Sequence, residues 1–250
     1  MVAYVMGGDP DLISSQEVME AVILGGADIL EVGIPFSDPI ADGKSVQAAG
    51  VRALRSGTRP TDVLRLVAKV RKRSDVPIAL MTYYNPVFAR GVGEFLDASK
   101  KCGVDGIIVP DLPLDEAGAF GRAARRRGID SILLATPTTS PERMKTIVAS
   151  TCGFLYLVSL LGVTGARAEL KESTVKLVRF ARQFTEGKIP LAVGFGISKP
   201  DHVRAVIGAG ADAAIVGSAI VDRVGEFATG EHGSAKVIEE YVRSLKQATR

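Results

Sequence analysis

The chain has 250 residues, of which 46% are hydrophobic and 24% are charged, and its formal net charge is +3 at pH 7. This composition is typical of a globular protein and excludes a disordered chain, a collagen-like repeat and a disulfide scaffold. Basic and acidic residues are interspersed, apart from four arginines within 122–127, so no basic stripe for nucleic acid is present. The length suits either two small domains or one α/β barrel.

Two cysteines, Cys102 and Cys152, lie far apart and lack the paired spacing of a zinc site or a redox motif. We expect two small buried thiols in a reducing compartment. No apolar stretch approaches the roughly 18 residues of a membrane span, and the first residues do not resemble a secretion signal. The sequence therefore predicts a cytoplasmic protein that does not bind membranes.

Short runs rich in Val, Ile and Leu alternate with longer stretches of helical periodicity along the whole chain, which predicts parallel strand–helix units. The runs do not alternate apolar with polar residues, so both faces of each strand should be covered. Eight strands are predicted, at 2–6, 29–32, 78–82, 106–109, 131–134, 154–158, 191–193 and 214–216. Eight helices are predicted, at 15–24, 61–73, 92–101, 116–127, 141–149, 172–184, 200–207 and 235–248.

Eight units at a spacing of about 30 residues match the (β/α)8 barrel, which has about 250 residues. A doubly wound sheet more often has five or six strands and is the second choice. No linker or low-complexity segment interrupts the series, so one domain over residues 1–250 is predicted. Four Gly-x-Asp turns, at 26–28, 103–105, 128–130 and 210–212, should end helices in the left-handed conformation and have a structural role only.

In a parallel barrel the active site lies at the carboxyl ends of the strands, and the last three of these ends are rich in glycine. The segments are 162–165, 194–198 and 217–219. Glycine allows the backbone to approach a phosphate, whose oxygens accept N–H groups at the start of a helix. Because 194–198 and 217–219 contain no Lys or Arg, neutral amides should hold the anion. Tight turns with no ligand are the alternative.

Glu31 ends the apolar run Ile29-Leu30, where a carboxylate is costly unless it has a task or a partner. Desolvation there would raise its pKa and suit a general acid or base. The alternative is a Glu31 side chain that only caps a neighbouring loop. Asp42 follows in the next loop, and Asp111 ends the fourth strand.

Metal, Schiff-base and thiol catalysis are disfavoured, because the predicted strand ends lack the side chains that these mechanisms need. His202 and His232 do not lie at strand ends, as ligands of a metal-dependent aldolase would. No strand contains a lysine for a Schiff base, and neither cysteine has a histidine nearby. Of the mechanisms considered, metal-free acid–base chemistry on a small phosphorylated substrate is the one that the sequence favours.

The segment 31–43, with the sequence EVGIPFSDPIADG, closely resembles the signature of the tryptophan synthase alpha chain family. The match continues in order through 8–10, 83–88, 109–113, 161–166, 194–198 and 217–221. The resemblance implies a barrel with no cofactor of its own that cleaves indole-3-glycerol phosphate to indole and glyceraldehyde 3-phosphate. It also implies an αββα heterotetramer, in which indole passes to a beta chain that carries pyridoxal phosphate.

The resemblance also implies a role for each matching residue. Glu31 would be the general acid and base that protonates indole C3 and takes the glycerol hydroxyl proton, and Asp42 would accept the indole N–H and stabilise the cationic intermediate. The phosphate would be held by Gly165, Gly196, Gly217 and Ser218. The substrate pocket would be bordered by Tyr4, Tyr83, Asp111, Tyr156, Thr164 and Phe195. The segments 35–43 and 85–88 would face the beta chain.

One feature departs from the family, which usually begins with a helix that plugs the bottom of the barrel. Here the first predicted strand begins at Val2, so the barrel is predicted without that helix. Two functional alternatives stay open beside the lyase subunit. One is a catalytically weak barrel that mainly activates the beta chain, and the other is a stand-alone lyase that releases indole.

Overall fold

The structure is a computed structural model that describes residues 1–158, 172–194, 196–228 and 235–250. The strands within these ranges are β1 (Val2–Met6), β2 (Ile29–Gly33), β3 (Ile78–Met81), β4 (Gly106–Ile108), β5 (Asp130–Ile132), β6 (Leu134–Ala135), β7 (Leu155–Val158), β8 (Leu191–Gly194) and β9 (Ala213–Val216). The helices are α1 (Leu12–Leu24), α2 (Lys44–Arg55), α3 (Pro60–Arg71), α4 (Tyr84–Arg90), α5 (Val92–Lys101), α6 (Leu114–Arg125), α7 (Pro141–Ser150), α8 (Glu172–Thr185), α9 (Pro200–Gly208), α10 (Ser218–Ala228) and α11 (Ala235–Gln247). None of these helices is long and apolar enough to cross a membrane.

The strands pair in the order β5-β4-β3-β2-β1-β9-β8-β7-β6, and every pair is parallel. The two ends of this order, β5 and β6, are consecutive in the chain and separated only by Leu133. The strand predicted at 131–134 is thus divided in two, and the sheet forms a nearly closed barrel. Because the first strand pairs with the last, the predicted barrel is confirmed and the doubly wound sheet is excluded.

Each of the eight predicted helices overlaps a helix of the structure, and the described ranges contain three further helices that the sequence does not predict. Helix α2 buries only small residues, Ala49, Gly50 and Ala53, so no large apolar side chains mark its buried face in the sequence. Helix α4 contains Pro86 in its first turn, where the missing N–H has no intrahelical partner to lose. Helix α10 directly follows a glycine-rich strand end, a composition that predicts a loop.

Apolar side chains fill both sides of the barrel wall. All five residues of β1 are buried, as expected for a strand covered on both faces. Between the sheet and the helices lies the main core, whereas a smaller cluster contains Val2, Ile108, Phe154 and Ile215. Cys102 and Cys152 are free thiols, as predicted, but both are only partly buried.

The Gly-x-Asp turns have the predicted left-handed glycines, with φ between 65° and 97° at Gly26, Gly103, Gly128 and Gly210. Two of their aspartates also hold the start of the preceding, neighbouring strand. Asp105 accepts hydrogen bonds from the Ile78 amide and from Arg71, at 2.9 and 2.6 Å. Asp212 accepts from the Leu191 amide and from Arg182 in the same way. These turns lie at the amino ends of the strands, which leaves the carboxyl ends for chemistry.

Candidate active site

Glu31 lies in the middle of β2, beside Tyr4 of β1 and Ala79 of β3 in the parallel registers. It is 1% exposed, and its Oε2 atom has no hydrogen-bond partner among the residues that the structure describes. Burial, and to a smaller extent the charge of Asp42, raises the pKa of Glu31 from 4.5 to about 8. Glu31 is therefore protonated at neutral pH and able to donate a proton.

Asp42 lies at the end of the loop that connects β2 to α2, and its side chain is half-buried. Burial raises the pKa of this carboxyl group, and hydrogen bonding from the Tyr83 hydroxyl partly offsets the rise. Tyr83 also supports the loop, because its hydroxyl oxygen accepts a hydrogen bond of 2.9 Å from the Ala41 amide. Its ring lies 5.3 Å from that of Phe36 between centroids. Tyr83 thus holds the segment that carries Asp42.

Two glycines leave space for tyrosine hydroxyl groups near Glu31. A Cβ atom on Gly33 would overlap the hydroxyl of Tyr4, and one on Gly194 would lie 2.6 Å from that of Tyr156. Burial raises the pKa of both tyrosines well above the ordinary value, so both hydroxyl groups stay neutral. Neutral rings around Glu31 maintain the low polarity that keeps its carboxyl group protonated.

Seven of the predicted site residues line one cavity of about 250 Å³ at the carboxyl ends of the strands. They are Tyr4, Glu31, Asp42, Tyr156, Gly196, Gly217 and Ser218. The cavity has Glu31 and Asp42 at one end and a glycine-rich region at the other, at the starts of the segments that follow β8 and β9, where Asp222 of α10 also lines it. A small polar ligand with an anionic group fits this division.

The glycine-rich end has the features of an anion site. Gly217 directly precedes α10, whose first amides point along the helix axis without intrahelical acceptors. Gly196 has φ of 74°, a left-handed conformation that favours glycine. The described lining of the cavity contains no Lys or Arg, so an anion here would be held by amides and the helix dipole.

Asp111 and Tyr83 do not line the cavity that the other described candidates share. Asp111 lines an adjoining cavity of about 560 Å³ and accepts a hydrogen bond of 2.9 Å from the Tyr84 amide at the start of α4. Tyr156, Met81 and Ala41 line both cavities. Three other predicted residues, Thr164, Gly165 and Phe195, lie outside the described residues.

Some residues that shape the site are not evident from the sequence. Met81 ends β3 and borders both cavities, and only the inward alternation of that strand could have indicated it. Asp9 is 2% exposed and forms a two-point ion pair with Arg52 of α2, with both N–O distances 2.7 Å. This pair ties the loop after β1 to the helix that follows Asp42. Within the described ranges, no three His, Cys, Asp or Glu side chains are grouped as metal ligands would be.

Comparisons with known proteins agree with this geometry. Residues 1–250 match the family described as tryptophan synthase alpha chain. The tryptophan synthase alpha chain of Methanothermobacter thermautotrophicus is 45% identical over 247 residues, which cover 99% of this chain and 91% of the relative. That of Arabidopsis thaliana is 44% identical over 248 residues, covering 99% and 89%.

Solved structures show the same relationship. A tryptophan synthase complex from Pyrococcus furiosus has a chain that is 40% identical, with a TM-score of 0.89 and coverage of 99% of this chain and 97% of that one. A second structure from the same organism concerns the structural basis of mutual activation of the tryptophan synthase α2β2 complex. Its matching chain is 41% identical, with a TM-score of 0.91 and the same coverage. The signature around Glu31 and Asp42, the barrel and these similarities together show that the chain belongs to the tryptophan synthase alpha chain family.

Proposed function

We propose that Glu31 and Asp42 carry out the reaction of this family, the cleavage of indole-3-glycerol phosphate to indole and glyceraldehyde 3-phosphate. This reaction makes the chain a carbon–carbon lyase of tryptophan biosynthesis. The observation that carries the assignment is a buried Glu31, with a pKa raised by that burial, in the same cavity as Asp42 and a glycine-rich helix start. That arrangement supplies an acid, a counter-charge and an anion site within one pocket.

The proposed reaction has two proton transfers, both through Glu31. With the phosphate at Gly196, Gly217 and Ser218, Glu31 first gives its proton to indole C3, and the ring nitrogen gains positive charge. Asp42 accepts the N–H hydrogen bond and stabilises that charge. The Glu31 carboxylate then takes the glycerol hydroxyl proton as the C–C bond breaks. The electron pair of that bond returns to the ring, an aldehyde forms, and Glu31 is protonated again.

Placement of both carboxyl groups in one cavity favours the lyase over a weakly active barrel that only activates a partner. A catalytically weak barrel would not need a buried acid with a raised pKa, since burying such a group costs stability. Tyr4 and Tyr156 border the same cavity, and their rings suit the apolar face of an indole. Asp111 would contribute from the adjoining cavity.

A negative charge at the proposed phosphate site should weaken substrate binding. We expect Ser218→Asp to raise KM for indole-3-glycerol phosphate by about 10- to 100-fold, because a carboxylate then occupies the position proposed for the phosphate. An acidic residue in the first turn of a helix is itself stabilising, so the fold should be kept. The measurement is steady-state indole release, with Ser218→Ala as the matched control. An unchanged KM in the Asp variant would place the phosphate elsewhere.

We further propose that the chain works as the alpha subunit of an αββα assembly in the cytoplasm, with pyridoxal phosphate carried by the beta chain. Two large apolar residues are strongly exposed near the carboxyl ends of the strands, Ile40 at 83% and Phe88 at 69%. They lie in the segments 35–43 and 85–88, which the family resemblance assigned to the beta chain. Exposed apolar side chains at one end of a barrel suit a protein partner.

Substitution of Phe88 should weaken this assembly. We expect Phe88→Asp to raise the dissociation constant for the beta chain at least about tenfold, because a charge replaces an aromatic contact. The matched control is Leu24→Asp, since Leu24 is 67% exposed but ends α1 at the opposite end of the barrel. Gel filtration and titration of the stimulated activity measure the binding. Equal effects of the two substitutions would contradict the proposed interface.

A further inference from the structure

Tyr241 of α11 reaches the glycine-rich segment that follows β8. Its hydroxyl group donates a hydrogen bond of 2.8 Å to the carbonyl oxygen of Ser198. The Ser198 amide donates in turn to Nδ1 of His202, at 3.3 Å. Ser198 is therefore held from both sides, two residues after Gly196 of the proposed phosphate site.

Tyr241 also contacts the second segment of that site through Arg223. The guanidinium carbon of Arg223 lies 3.4 Å from the centre of the Tyr241 ring, a cation–π contact. Arg223 also donates a hydrogen bond of 3.0 Å to the carbonyl oxygen of Ala219, in the first turn of α10. That turn begins at Ser218, the other proposed phosphate ligand.

Gly196 benefits from such support because it has no side chain of its own to pack. Gly196 is exposed and has a left-handed backbone, so packing does little to limit its position. Tyr241 is half-buried, and burial raises the pKa of its hydroxyl group, which therefore stays a hydrogen-bond donor. One side chain of α11 thus connects both parts of the anion site.

We propose that Tyr241 is a positioning residue that sets the distance between the segment 196–198 and the start of α10, and so tunes the affinity for the substrate phosphate. The proposal rests on the phosphate site proposed above. Tyr241 contacts neither Glu31 nor Asp42 in the described structure and acts on binding rather than on the proton transfers. Removal of its hydroxyl group should change KM and leave kcat almost unchanged.

The test compares Tyr241→Phe with Ser244→Ala in the full-length chain. Each variant removes one hydroxyl hydrogen bond from α11, but Ser244 donates only to the Tyr241 carbonyl within that helix, at 2.7 Å. For Tyr241→Phe we expect KM for indole-3-glycerol phosphate to rise about three- to tenfold, the worth of one hydrogen bond, with kcat within about twofold. The inhibition constant of inorganic phosphate should rise by the same factor. Ser244→Ala should change neither constant.

The outcomes separate this proposal from the one on which it rests. If Ser218→Asp raises KM and Tyr241→Phe does not, the positioning role is wrong and the phosphate site stands. If neither variant raises KM, the phosphate site itself is wrong. Equal effects of Tyr241→Phe and Ser244→Ala, or a loss confined to kcat, would also overturn the positioning role, because general loosening of α11 would then explain the result.

Discussion

Replacing Glu31 with Gln is expected to lower kcat for indole-3-glycerol phosphate cleavage by about 10²- to 10⁴-fold, the usual worth of a positioned general acid and base. Glutamine has nearly the same shape but neither donates an acidic proton nor accepts one. The measurement is indole release by the chain alone and with a beta chain, so that loss of chemistry is separated from loss of stimulation. A decrease of less than about tenfold would mean that another group supplies the proton.

The same substitution should increase folding stability although it lowers activity, and this increase serves as its control. The pKa of Glu31 is about 8 in the folded chain against an ordinary 4.5, so above pH 4.5 the unfolded chain releases a proton that the folded chain retains. This difference costs folding stability, and the cost grows as the pH rises from 4.5 to 8. Glutamine carries no such cost.

We therefore expect Glu31→Gln to unfold with a free energy about 1–4 kcal/mol higher than the parent at pH 8, and with no difference attributable to ionisation near pH 4. Denaturant unfolding at the two pH values measures this. An inactive variant that is more stable at pH 8 has lost chemistry rather than structure. If the stability gain of the variant over the parent were smaller at pH 8 than at pH 4, the raised pKa of Glu31 would be contradicted.

Replacing Asp42 with Asn is the second substitution with a large expected effect, a decrease in kcat of about 10²- to 10³-fold. Asparagine keeps an oxygen that can accept the indole N–H but removes the negative charge that would stabilise the cationic intermediate. Because the charge develops after binding, KM should change much less than kcat.

Indole release under saturating substrate measures the effect of Asp42→Asn. Asp75→Asn is a suitable control, since Asp75 is exposed in the loop before β3 at the opposite end of the barrel. Comparable losses in the two variants would show that Asp42 acts through the net charge of the protein and not at the substrate. A decrease seen only in KM would assign Asp42 to substrate binding.

Much of the barrel could be predicted from local signals. Apolar runs without alternation indicated strands buried on both faces, as β1 shows, and Gly103 and Gly210 marked helix ends that the structure confirms. Helices α2 and α10 escaped prediction, because the first buries mainly Ala and Gly and the second starts in a glycine-rich strand end. A buried face of small residues and a glycine-rich start both hide a helix from a search for large apolar residues at helical spacing.

The sequence by itself determined the order of the strand–helix units, the end of the barrel that holds the site, and the candidates Glu31 and Asp42. Only the tertiary structure decided that the pKa of Glu31 is raised, because that pKa depends on burial between β1 and β3 and on the Asp42 charge. It also decided the contact of Tyr241 with Ser198, 43 positions away in the chain. Periodicity reports which face of an element is buried, whereas a pKa or a long-range hydrogen bond depends on atoms that folding brings together from distant segments.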